Sequence, residues 1–99
     1  MDPQTLKDLH DAKASADRDL LEKVLEVCRR EGYITKLVRE CSALLEKIDD
    51  ATAALTVAKN GMKKEHLARA MKMAADIGFT KNQLYIDCQE NLEVLAKPS

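Results

Sequence analysis

The stretch from Tyr33 to Asn60 contains neither proline nor glycine, and its apolar residues fall at Ile34, Leu37, Cys41, Leu44, Ile48, Ala51, Leu55 and Ala58. The steps alternate three and four without a miss, so the spacing predicts one long amphipathic helix over 33–60 with a continuous buried stripe. A chain organised around such a helix has little room for a sheet. The β-branched residues elsewhere are scattered and never alternate with polar ones over a strand's length. Leu, Ala, Lys and Glu are abundant, and there are only three glycines and two prolines, so helix propensity is high almost throughout. The expected fold is all-α, an antiparallel helical bundle or two helical-hairpin repeats, with helices near 3–14, 17–31, 33–60, 63–77 and 80–97. Ninety-nine residues make one domain, 1–99, large enough for a core without staples.

The punctuation between these helices is specific. Asp2-Pro3 suits a helix start, with the carboxylate capping free amides and proline at the first helical position. Ser15-Ala16-Asp17 is the expected first break, with Ser15 or Asp17 as the next cap. Gly32 and Gly78 are each followed by an aromatic, Tyr33 and Phe79, and glycine takes the left-handed helix-ending conformation without strain. Asn60-Gly61 reads as the strongest turn dipeptide. Thr80-Lys81-Asn82-Gln83 has the form of a capping box, and Lys97-Pro98 closes the last helix.

These signals recur at a fixed offset. Shifted by 46 residues, Leu9, Ala12 and Lys13 fall on Leu55, Ala58 and Lys59, Leu21 on Leu67, Gly32 on Gly78, and Tyr33 on Phe79. One insertion after the aromatic makes the offset 47, and then Leu37 falls on Leu84, Cys41 on Cys88, Leu45 on Leu92 and Ile48 on Leu95. Helical periodicity alone accounts for the leucines. It does not place Gly-aromatic on Gly-aromatic or Cys on Cys. The chain therefore reads as two repeat units, about 5–51 and 52–97, with the second half of the long helix opening the second unit.

With Leu-x-x-Val-Leu-x-x-Cys-x-x-x-Gly-Tyr at 21–33 and Leu-x-x-Ala-Met-x-x-Ala-x-x-x-Gly-Phe at 67–79, the chain resembles helical-hairpin repeats of the α-solenoid kind. The unit length is similar to that of HEAT or armadillo repeats. The tetratricopeptide pattern, with a shorter period and a proline at the unit end, is not met. The resemblance implies a protein-binding or scaffolding surface, a fragment of a larger repeat protein, and no catalysis. Two units are fewer than a solenoid normally stacks, so compact closure or self-association is expected.

The residues themselves carry no recognisable reaction chemistry. Sixteen basic residues balance seventeen acidic ones, without the basic face of a nucleic-acid binder. Arg29-Arg30 and Lys63-Lys64 sit beside Glu31 and Glu65 and read as solvated helix charge. Asp49-Asp50 lacks the alternating ligands and glycine of a calcium loop. Cys28, Cys41 and Cys88 have no zinc spacing to one another or to His10 and His66. They read as buried, reduced thiols, which suits a cytosolic or nuclear compartment, and a cytoplasmic protein is expected. No catalytic, cofactor or metal residues are assigned. The apolar run length is too short for a membrane span, and no nucleic acid is expected. Met62, Met73 and Tyr85 fall off or beside the buried stripes and are the candidate contacts for a protein partner or further repeats. The alternative to an interaction module is a structural strut or homodimerisation element without a separate ligand.

Overall fold

Asp2 begins the chain's first helix as the sequence suggests: its carboxylate accepts from the Gln4 amide, and Pro3 stands in the first turn. A computed structural model describes residues 1–97, in which there are five helices and no strand. They are α1 (Pro3–Ser15), α2 (Arg18–Glu31), α3 (Lys36–Gly61), α4 (Lys64–Asp76) and α5 (Gln83–Ala96). The protein is all-α. Two compact units divide it, Met1–Ile48 and the part from Asp49 onward, so the boundary falls inside α3, slightly ahead of the boundary expected at 51. Pro98 lies outside the described residues.

In unit 1, Leu9 and Ala12 of α1, Leu21, Val24, Leu25 and Cys28 of α2, and Cys41 and Ile48 of α3 are buried. Unit 2 places Ala51, Leu55 and Ala58 of α3, Leu67, Ala70 and Ala74 of α4, and Cys88 of α5 in one cluster. Leu9, Ala12, Leu21, Val24, Cys28 and Cys41 match Leu55, Ala58, Leu67, Ala70, Ala74 and Cys88, whereas Leu95, expected to match the fully buried Ile48, is 39% exposed in the last turn of α5. Each fully buried leucine contributes about 1.5–3 kcal/mol. Where a valine and a cysteine stand in α2, alanines stand in α4, so the second core is built from smaller side chains.

The helix ends repeat as well. Gly32 and Gly78 have φ of +71° and +75°. The Tyr33 amide donates to the Cys28 carbonyl at 2.9 Å and the Phe79 amide to the Ala74 carbonyl at 2.9 Å. With the glycine amides bonded to Arg29 and Ala75, both are Schellman caps, which satisfy carbonyls the helix leaves open. Earlier in each unit, a non-glycine residue takes the left-handed turn: Ala16 at φ 50° and Met62 at φ 52°.

Three expectations are corrected. The central helix starts at Lys36 rather than 33, because Tyr33 is used by the Schellman cap and Thr35 Oγ1 accepts from the Val38 amide. Ile34 therefore leaves the buried stripe and lies in the connection, 76% exposed. The last helix starts at Gln83 rather than 80, since Asn82 Oδ1 accepts from the Tyr85 amide at 2.8 Å, while Gln83 reaches forward to Asp87. Gly61 is helical, and the turn expected there is made by Met62. The buried pair Ala58 and Leu67 matches Ala12 and Leu21 and puts the reversal four residues after the alanine in both units, whatever residue stands there. At α1, Thr5 takes the buried place and Leu6 is 43% exposed.

Two predictions follow from the caps. Gly61→Ala meets open space in a helical backbone and is expected to stabilise by about 0.5 kcal/mol, whereas Gly32→Ala at positive φ is expected to lose about 1 kcal/mol; urea unfolding of both reads the contrast. Asp17 caps α2 through the Asp19 and Leu20 amides, but its counterpart Lys63 gives α4 no side-chain cap. Lys63→Asp should therefore raise stability by about 1 kcal/mol, seen as a higher urea midpoint at unchanged slope.

Candidate functional site

Between α2 and the first half of α3, unit 1 carries an open groove of about 510 Å³. Its apolar lining comes from Leu25, Tyr33, Ile34, Val38 and Leu45, with Cys28 beside them. The Schellman cap creates it: Gly32 ends α2, and the connection of Ile34 and Thr35 stands outside both helices before α3 begins. Glu22 and Arg29 lie along its α2 side, and Glu22 pairs with Arg18 at 3.1 Å. A smaller crease of about 230 Å³ between α1 and α2 has Leu20 in its lining with Asp8 and Asp11.

The same position in unit 2 is treated differently. Tyr85 stands where Val38 stands, and Tyr85 packs against the unit 2 core with Met71, Phe79 and Leu92. Of the three contact candidates read from the sequence, Met62 is 41% exposed in the left-handed turn and Met73 39% exposed on α4. Tyr85 is half-buried on α5, so only part of its ring is available. They sit on three different segments. The groove-forming residues Tyr33, Ile34 and Val38 were missed as a contact surface because Ile34 was assigned to the buried helix stripe. The signal was the Thr35 cap immediately after it.

The titratable groups describe a structural chemistry. The Cys41 thiol donates to the Leu9 carbonyl at 3.5 Å, and the Cys88 thiol to the Leu55 carbonyl at 3.3 Å. Burial pushes the thiols of Cys28, Cys41 and Cys88 above their ordinary value; Lys13 opposes this at Cys41 and Lys59 at Cys88. A protonated, buried thiol is a poor nucleophile. Beside Cys41 and Cys88 lie ion pairs, Lys13 with Glu40 and Lys59 with Asp87, the latter at 2.8 Å. The lysine hydrogen bonds hold both carboxyls below their ordinary range, Gln83 adding to the effect at Asp87. Both lysines are raised, chiefly by the same bonds. Among the described residues no group of three or more His, Cys, Asp or Glu could hold a metal ion.

No protein-family model matches the chain, and neither the curated proteins nor the solved structures compared with it give a match.

The ion pairs carry a pH signature. Lowered carboxyl values mean that the pairs stabilise fully above the unfolded carboxylate range and lose that contribution as pH falls through the folded values. Raised lysine values act only at the alkaline end, where stability falls as pH rises through them. The Glu40→Gln/Asp87→Asn variant is therefore expected to show a shallower loss of urea midpoint than the parent chain between neutrality and about pH 3. Parallel curves would assign the acid sensitivity to other carboxylates.

Proposed function

We propose that this chain is a non-catalytic helical interaction module, or scaffold element, that docks an amphipathic helix in the unit 1 groove. One observation carries the reading: Ile34, a large apolar side chain, is 76% exposed beside Tyr33 and Val38 at an open groove between two helices. An apolar residue held outside a well-formed Schellman turn gains nothing for the fold. It gains much against a partner, since burying it is worth about 1.5–3 kcal/mol. A groove between two helices accepts a third helix through anchors at i, i+3, i+4 and i+7. The recurrence of the Schellman caps, of the Cys41 and Cys88 thiols and of their ion pairs supports a likeness to helical-hairpin repeats that present such surfaces.

No described helix is long and apolar enough to cross a membrane. Three buried cysteines without disulfides fit a reducing compartment such as the cytoplasm.

The test is an amide NMR titration with a synthetic helical peptide carrying leucines at i, i+3, i+4 and i+7 and glutamates beside them. Shifts should concentrate on Leu25, Tyr33, Ile34, Val38 and Leu45. Ile34→Asp should weaken binding by at least about tenfold while leaving the melting temperature in place, because the native side chain is largely in solvent. A spectrum unmoved by the peptide, or moved equally in the variant, would remove the groove as a docking site.

A further inference from the structure

Among the described residues, the lining of the unit 1 groove carries two charges, Glu22 and Arg29, and they stand at opposite ends. Glu22, Leu25 and Arg29 follow one another along α2 at steps of three and four, which keeps them in one row on a single helix face. Seven residues separate the two charges, two turns or about 10.5 Å of helix. Arg29 belongs to the last turn of α2, next to the Gly32 cap, where Tyr33 and Ile34 also line the groove. Glu22 lies in the first half of the helix. The groove is therefore basic at its turn end, acidic at the other and apolar between.

Both charges are available to an outside partner. Glu22 pairs with Arg18, but the two side chains are 54% and 42% exposed, and a solvated pair of this kind contributes little. Arg29 is exposed, and no described carboxylate forms an ion pair with it. A helix is itself most stable with acids towards its N-terminus and bases towards its C-terminus. For the acid of such a helix to reach Arg29 and its base to reach Glu22, its N-terminal half must lie at the turn end. It then runs antiparallel to α2, with the two helix dipoles opposed.

We propose that the groove selects and orients a helix of one charge order: a carboxylate followed seven residues later by a lysine or arginine, on the edge of the apolar stripe that faces α2. The carboxylate meets Arg29, the base meets Glu22, and the stripe covers Leu25, Val38 and the exposed Ile34. Net charge of the partner is not read, because the two groove charges cancel. The proposal rests on the groove being a docking site, as proposed above.

Three synthetic peptides with the same leucine stripe test it, each titrated into the intact chain and followed by amide NMR. One carries glutamate seven residues before lysine, the second has the two exchanged, and the third has glutamine at both places. The glutamate-first peptide should bind about threefold to tenfold more tightly than its exchanged form, with a smaller advantage at high salt. A nitroxide at its N-terminus should broaden the Tyr33 and Ile34 amides more than the Glu22 amide. Glu22→Gln/Arg29→Gln should erase the preference and leave the affinity for the glutamine peptide as in the parent chain. Equal affinities for the two charged peptides, a preference that survives in the variant, or broadening at the Glu22 end would each overturn the charge order. If the glutamine peptide still shifts the Ile34 and Val38 amides in that case, docking stands and only the orientation is wrong; if none of the three peptides shifts them, both readings fall.

Discussion

A thiol set against a helix backbone governs how each unit closes. Cys41 reaches the Leu9 carbonyl and Cys88 the Leu55 carbonyl, which requires the two helices to approach closely at that point. Cysteine is small enough to allow the approach and apolar enough to be buried there. Once the pair is placed, neighbouring contacts follow from helix geometry: Lys13 lies one turn beyond Leu9 and meets Glu40, next to Cys41, as Lys59 lies one turn beyond Leu55 and meets Asp87. Leu21 and Leu67 then fill the space that the third helix covers. Serine in place of either cysteine would put a stronger polar group in the same slot, and a larger side chain would separate the helices.

Where the two units differ, the differences are local substitutions on a common frame. Asp17 caps a helix that Lys63 leaves uncapped. Tyr85 covers the core where Val38 leaves a groove, and the one-residue insertion between Phe79 and Asn82 replaces the exposed Ile34 with Thr80 and Lys81. The larger Tyr85 side chain packs on the unit 2 core at the position where Val38 lines the unit 1 groove.

Much of this frame was legible in the residues. The five helices, the glycine ends and the matching positions follow from periodicity and from a few residues whose conformational range is narrow. Helix starts were harder. Tyr33 and Ile34 continue the three-four spacing, so the pattern alone extends α3 backwards, and only the competition between the Schellman cap and the Thr35 hydroxyl decides otherwise. Asn60-Gly61 misled for a related reason: the glycine's preference is weak beside the burial of Ala58 and Leu67, which moves the reversal onto Met62. The groove was not legible from spacing, because it depends on Ile34 standing in the connection before the Thr35 cap, where the three-four pattern places it on the buried stripe.

The three cysteines have one more consequence. Cys28 and Cys41 lie in the first unit and Cys88 in the second, each at most 1% exposed. A thiol in such a place reacts with a soluble reagent only when the surrounding structure opens, so its modification rate tracks the free energy of that opening. The chain therefore carries an internal stopwatch for each half. Mass spectrometry of singly labelled peptides would show whether the halves breathe together or one at a time, without any substitution in the chain.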